Sequence, residues 1–441
     1  MPFRSLPALP AGRVTALTAL LLTACAGGSP DAAAPPMKPA QGASLQACAE
    51  LAARLSLPGT TITSAAPVAA DTLKVGGVPA GEHCLVVGRT GERKSAVDGQ
   101  TYAIGWQMRL PAKWNGRFYH QGNGGLDGIV ANATGPVGGG GELTSALQQG
   151  FAVLSSDAGH SAAQNPLFGV DPQARLDYGY QAVQALTPMA KALVAAAYGR
   201  GPDRAYFAGT SNGGRHTMVA AVRLPAEYDG FLATSPGFNL PKAAVAQLWG
   251  AQQWNTVATS TGTAPNFDLE SAFTQTERRL VANAILAKCD ALDGLADGLV
   301  QDVTACRGAF DLARDVPTCT AGAARDGSCL SADQKTVLAR VFAGGSDAQG
   351  RKLYRHHYGD PDHEALARFL TAQAYPWLVS YDDHPRIREL YASSKMQPIY
   401  LDYKVKSSRT AQELVISNLV IPPPVYTAPL PTSQLLESLS E

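Results

Sequence analysis

The run Ala205–Met218, AYFAGTSNGGRHTM, constrains the fold more than any other stretch. A strand-like apolar segment ends in a tight glycine turn, a serine sits at its apex, and a helical pattern follows. Gly209-Thr210-Ser211-Asn212-Gly213 fits G-x-S-x-G, where the serine occupies a strained strand-to-helix turn in which neighbouring side chains would clash. The helix aims its first amides and the positive end of its dipole at that serine. Ser211 is therefore expected to be a nucleophile, and the Asn212 amide one donor to a developing oxyanion. The bland alternative is a structural glycine turn. A second donor should come from an earlier strand-to-loop turn. HQGNGGLDG (His120–Gly128) supplies Gly124 or Gly125, although a plain glycine loop would read the same way.

The flanking pattern suits such a turn. TYAIGWQMRLP alternates, while GRFYHQGNGG and GFAVLSSDAGH run apolar and break at glycines. DYGYQAVQALTPMAKALVAAAYG reads as one long helix before the strand RAYFAG. The helix GRHTMVAAVRLP and the strand-like YDGFLATSP follow the serine. Strands alternating with helices predict an α/β fold with a mostly parallel sheet. From about Phe238 the pattern becomes helices and cysteine-bearing loops, expected as a lid or insertion up to Tyr354. The 45% apolar and 16% charged composition allows a substantial core. A formal net charge of zero argues against a nucleic-acid partner, which would select a basic surface.

Arg4 and Arg13 precede the apolar run VTALTALLL, which leads into LTACAGG. That predicts an export signal over 1–24, too short to span a membrane as a stable helix. Leu-Thr-Ala-Cys fits a lipobox, with Cys25 lipidated and the chain an outer-membrane lipoprotein; ordinary cleavage to a periplasmic protein is the alternative. Residues 25–46, rich in Pro, Ala and Gly, read as a disordered tether. Six cysteines remain: Cys48, Cys84, Cys289, Cys306, Cys319 and Cys329. An even number in an exported chain suggests disulfides, and about fifteen pairings are possible. Pairing of neighbours is the simplest, and a few free buried thiols the alternative. CDALDGLADGLVQD places Asp290, Asp293 and Asp297 in one loop, with the carbonyls of Leu295 and Leu299 close by. Such hard oxygen donors suit calcium, although a solvated acidic turn would look alike.

Together these pieces resemble the tannase and feruloyl esterase family of α/β-hydrolases, which includes bacterial terephthalate-monoester hydrolases. The resemblance covers about Ala47 to Tyr354, with a core over 47–238 and a lid over 239–354. It rests on GNGGLDG, SSDAGH, DYGYQAV, YFAGTSNGGRHTMVAAVRLPAEYDGFLATSPGFN and CDALDGLADGLV. It implies Ser211 as nucleophile, amides of Asn212 and of a glycine near Gly124 as oxyanion donors, and aromatic or phenolic esters as substrates. It also implies a structural lid calcium on Asp290, Asp293, Leu295, Asp297 and Leu299, and lid disulfides Cys289–Cys306 and Cys319–Cys329.

Two departures stand out. Many members have a cysteine just before the serine, bonded to one beside the catalytic histidine; here that position is Thr210. The family's catalytic Asp and His follow the lid, whereas here 355–433 resembles the C-terminal part of an adenine-specific DNA methyltransferase, followed by a tail over 434–441. DHEALARFL, WLVSYDDHPRIRELY and ELVISN carry that likeness and read as helix, strand, helix, strand, strand, with Asp362 as an N-cap. No Asp-Pro-Pro-Tyr motif and no Phe-x-Gly-x-Gly loop for S-adenosylmethionine occurs. From His356 onward, seven Lys/Arg stand against ten Asp/Glu, a net of minus three, unsuited to DNA. Asp360 or Asp362 with His384 would satisfy the Ser–Asp–His chain order and nothing more. His216 is expected as a packing or surface residue, and His160 and His120 as pocket-lining or buried hydrogen-bonded residues. The chain thus reads as an incomplete esterase core with impaired activity. The alternatives are a non-catalytic calcium-binding remnant and, last, a methyltransferase fragment.

Overall fold

The computed structural model describes residues 39–137, 145–237, 239–260, 268–294, 296, 298–347, 349–353, 360–373, 376–404 and 408–421. The export signal, Cys25, most of the tether, Leu295, Asp297 and the 434–441 tail lie outside the described residues.

Seven strands form the central sheet: β1 (Thr60–Val68), β2 (His83–Lys94), β3 (Thr101–Pro111), β4 (Arg117–Gly122), β5 (Ala152–Ser156), β6 (Arg204–Thr210) and β7 (Gly230–Thr234). Their spatial order is β7-β6-β4-β5-β3-β2-β1. The β7–β6, β6–β4 and β4–β5 pairs are parallel. The β5–β3, β3–β2 and β2–β1 pairs are antiparallel. The sheet is therefore mixed, its parallel half carrying the serine turn. The antiparallel half is larger than the sequence suggested, because β1 (TTITSAAPV) has few large apolar residues to mark a period.

Alternation in β3 puts Tyr102, Ile104, Trp106, Met108 and Leu110 into the interior. Over that face lies α1 (Ala182–Tyr198), which buries Leu186, Ala190, Leu193 and Ala197 at helical spacing. Gly199 closes α1 in the left-handed conformation, at φ 74°. The preceding Asp177–Gln181, expected as the start of the same helix, forms a π-turn instead. α2 (Asn212–Arg223) packs beside α1, and Trp106, Phe118 and Phe207 complete this core. The other face is thinner: Tyr119, Val153 and Ala208 meet Ala133, Ala146 and Leu147. No described strand pairs with the outer edge of β7, where Leu232 is 51% exposed. An apolar cavity of about 290 Å³ opens there beside Phe151, Tyr206 and Phe231.

The lid comprises α3 (Leu240–Asn255), α4 (Gln275–Cys289), α5 (Val303–Ala309), α6 (Leu312–Asp315) and α7 (Ala332–Ala343). Thr274 with Glu277, and Ser331 with Gln334, form capping boxes that fix the starts of α4 and α7. Phe273, Val281, Leu330 and Val337 make a separate small core. Arg325 grips the buried Glu277 carboxylate through Nε (2.8 Å) and Nη2 (2.5 Å). The disulfides Cys48–Cys84, Cys289–Cys306 and Cys319–Cys329 follow the neighbour pairing. Two of them lie in the lid, whose core is too small to rely on apolar burial alone.

The C-terminal segment folds as α8 (Asp360–Thr371), β8 (Leu378–Asp382), α9 (Pro385–Leu390), β9 (Lys395–Lys404) and β10 (Ser408–Ser417). Its antiparallel sheet has the order β8-β10-β9, over a core of Trp377, Ile387, Tyr391, Leu414 and Ile416. The order of elements is the expected one. Asp362 is not the cap, however, because the helix already starts at Asp360.

Candidate active site

Ser211 sits between the last residue of β6 and the first of α2, exposed, with φ 60° and ψ −121°. Non-glycine residues avoid that region, so the surroundings must hold it there. They do so through the backbone: Ser211 N–H donates to Thr234 O at 3.0 Å, and Gly237 N–H donates to Ser211 O at 2.9 Å. The end of β7 thus clamps the turn from the side.

The glycines of the motif are explained by close approach. A Cβ on Gly213 would lie 2.3 Å from Gly122 O, and one on Gly209 would lie 2.5 Å from Gly213 C. Gly122 ends β4, so β4, β6 and α2 meet at three residues that can carry no side chain. This contact brings the loop after β4, with Gly124 and Gly125, up to the serine turn. Gly124 itself has nothing within 4 Å of its would-be Cβ. As first residue of α2, Asn212 has a backbone amide without an intrahelical acceptor. The two expected oxyanion donors thus belong to adjoining elements.

The Asn212 side chain faces inward. Its Nδ2 donates to Asp127 Oδ2 at 2.7 Å, and its Oδ1 accepts from Arg215 Nε at 2.6 Å. His216 also meets Asp127 Oδ2, through Nε2 at 2.8 Å, with both side chains at most 4% exposed. His216 is therefore a buried network member, not a surface residue. Its Nδ1 has no protein partner, and the ring lines a cavity of about 10 Å³, the size of one water. His120 and His160 are buried and bonded, as expected. His120 Nδ1 lies 2.8 Å from Tyr228 Oη. His160 Nε2 lies 2.8 Å from Leu126 O, with the ring stacked on Phe168.

The sequence reading missed Asp127, Arg215 and Tyr178. Asp127 is separated from Asn212 by 85 residues and from His216 by 89, so no local spacing marks them.

Among the described residues, no histidine hydrogen-bonds the Ser211 hydroxyl. His384 caps α9 instead, its Nδ1 accepting from Arg386 N–H at 3.1 Å. The Asp360 side chain lies outside the described residues. In the acidic loop, Asp290 Oδ1 accepts from Gly298 N–H at 2.7 Å and Asp293 Oδ2 from Gln301 N–H at 3.1 Å. No group of three or more His, Cys, Asp or Glu side chains is placed to hold a metal among the described residues.

Burial lowers the pKa values of His83, His120, His160 and His216, that of His120 to about 3. For a base with a lowered folded pKa, stability is present above its ordinary 6.5 and is lost as pH falls through that value. Burial pushes Asp157 up to about 7 and also raises Asp177. Those two carboxyls act oppositely, losing stability as pH rises from about 4. Four imidazoles outweigh two carboxyls, so the melting temperature should be lower at pH 5 than at pH 7. Calorimetry showing equal or greater stability at pH 5 would contradict neutral burial of these rings.

A serine held on a strained strand–turn–helix at the parallel half of a mixed sheet defines an α/β-hydrolase. The solved feruloyl esterase B of Aspergillus oryzae shares this fold, with a TM-score of 0.56 and 24% identity, over 73% of this chain and 60% of that one. Residues 84–392 match the "Tannase and feruloyl esterase" family model, and the chain belongs to that family. It is 38% identical over 316 residues to the mono(2-hydroxyethyl) terephthalate hydrolase of Piscinibacter sakaiensis, covering 68% of this chain and 52% of that protein. It is 31% identical over 261 residues to a probable feruloyl esterase B-1 of Neosartorya fischeri, covering 59% and 45%. The chain spans about half the length of these curated relatives. The family match continues past Tyr354 to residue 392, taking in α8, β8 and α9 of the segment likened to a methyltransferase.

Proposed function

We propose that this chain is a carboxylic ester hydrolase that takes small aromatic esters, with Ser211 as nucleophile and the amides of Asn212 and Gly124 as oxyanion donors. The observation that carries this reading is the backbone of Ser211, a strained conformation clamped by β7 and reached only because Gly209 and Gly213 lack side chains. The names of the relatives support an aromatic acyl group. Ser211 Oγ attacks the ester carbonyl carbon, and the carbonyl oxygen takes the negative charge between the two amides. Collapse expels the alcohol, and water then cleaves the acyl-serine bond. Attack requires loss of the Oγ proton, and no described imidazole is placed to take it. We infer that this route is impaired, so that residual turnover comes from substrate binding and the oxyanion amides acting on water. Phenolic-ester hydrolysis by the wild type and by Ser211→Ala tests this, with the outcomes set out in the Discussion.

We also propose that the acidic loop binds one calcium ion through Asp290, Asp293 and Asp297 and the carbonyls of Leu295 and Leu299. Hard oxygen donors suit that ion, and Gly298 and Gln301 amides brace the two described carboxylates. Calcium should raise the melting temperature, and Asp290→Asn should remove the rise; a shift that survives Asp290→Asn would place the ion elsewhere. Three disulfides fit an oxidising compartment, in line with export and a lipid anchor at Cys25 as the sole membrane attachment.

A further inference from the structure

We propose that Asp127 is a positioning residue: its carboxylate staples the Gly124 turn to the start of α2, so that two amides from separate elements act as one oxyanion site. This rests on the reading of Ser211 as nucleophile. Asp127 lies three residues beyond Gly124 in the loop after β4, and holds a left-handed backbone at φ 57°, unusual for a side-chain-bearing residue. Its Oδ2 receives both Asn212 Nδ2 (2.7 Å) and His216 Nε2 (2.8 Å), two donors from successive turns of α2. The Asp127 side chain is 1% exposed, so its carboxylate faces these donors and not the substrate.

The staple is braced behind. Asn212 Oδ1 takes Arg215 Nε at 2.6 Å and Tyr178 Oη at 3.2 Å. The Arg215 guanidinium also donates to the carbonyls of Gly179 and Tyr178, both at 3.0 Å, within the π-turn. That turn leaves carbonyls without their α-helical partners, and the guanidinium occupies them. The loop is held from its other side too. Asn165 Nδ2 donates to Asp127 O at 3.1 Å, and Gly128 N–H to Asp157 O at 3.0 Å. Asn212 thus has divided duties: its side chain is committed to the staple, and its backbone amide, at the first position of α2, has no intrahelical acceptor and is left for the oxyanion. Oxyanion donors act only if their spacing is fixed before the charge develops, and among the described residues the Asp127 carboxylate is the group hydrogen-bonded across the two elements.

Phenylboronic acid bound to the full chain tests this without requiring turnover. The Ser211 oxygen lone pair adds to trigonal boron, the hydroxyl proton leaves to water, and a tetrahedral borate anion forms with an oxygen in the oxyanion site. Boron NMR distinguishes the trigonal and tetrahedral species and gives the affinity. The wild type should form the adduct and Ser211→Ala should not. Asp127→Asn should weaken it by about tenfold or more at a temperature where both proteins are folded. Benzamide, which forms no anion, should bind both within about twofold. Asn212→Ala, which removes the side-chain bond and keeps the backbone amide, should act in the same direction and serves if Asp127→Asn fails to fold. An adduct that depends on Ser211 yet is unchanged in these variants overturns the staple alone. Equal binding by wild type and Ser211→Ala overturns the reading of Ser211, and the staple with it.

Discussion

Gly213→Ala should cost about 3 kcal/mol or more and lower the melting temperature by roughly 6–12 °C. The reason is geometric. The added methyl would lie 2.3 Å from Gly122 O, 2.7 Å from Gly122 C and 3.1 Å from Asn123 O. All three are backbone atoms and cannot rotate away. Relief would require α2 to lift from the end of β4. That movement would pull Asn212 and His216 off Asp127, breaking the bonds that join the two elements. A Cβ on Gly250, in the middle of α3, meets nothing within 4 Å. Gly250→Ala should therefore be neutral or stabilise by about 1 kcal/mol through helix propensity alone. If calorimetry gave Gly213→Ala the wild-type melting temperature, the close approach of β4, β6 and α2 would be wrong.

That three-way contact also shows what a sequence can reveal. G-x-S-x-G announces the turn because its causes are local: a strand before, a helix after, and glycines where backbones collide. The alternation of strands and helices around the serine and the change to helices with cysteine-bearing loops followed from similar local signals, and neighbour pairing of cysteines needed only sequence separations of 36, 17 and 10. The antiparallel pair β1 and β2 was hidden by small and hydroxyl side chains that give no clear period. The π-turn at Asp177–Gln181 was hidden because its residues fit an ordinary helix. The polar network was the least visible part. Asp127 reads as a loop aspartate beside a glycine, and only the fold brings it to Asn212 and His216. His216 illustrates the limit from the other side. Its position one turn after the serine suggests a bystander, yet burial and one carboxylate bond make it part of the frame.

The second large effect concerns catalysis. In a complete Ser–His–Asp site, loss of any member leaves a residual rate of roughly 10³–10⁴ over water, supplied by binding and the oxyanion site. Because the members act as a unit, removing the serine after the base is already lacking has little further effect. Ser211 sits on a strained turn at the start of α2, and among the described residues no imidazole hydrogen-bonds its hydroxyl. On the proposed reading, proton removal from Ser211, and not its presentation, should therefore set the rate. This separates architecture from activity: boronate binding should depend on Ser211, while ester turnover should scarcely do so.

The most direct test is the steady-state hydrolysis of a 4-nitrophenyl benzoate-type ester by the wild-type chain and by Ser211→Ala, at pH 7.5 with calcium present. Slow release of the phenol is expected, roughly 10³–10⁴ over the uncatalysed rate and differing less than about threefold between the two proteins. Turnover in the range of about 1–10³ per second, abolished by Ser211→Ala, would contradict it and show that a working base reaches the serine.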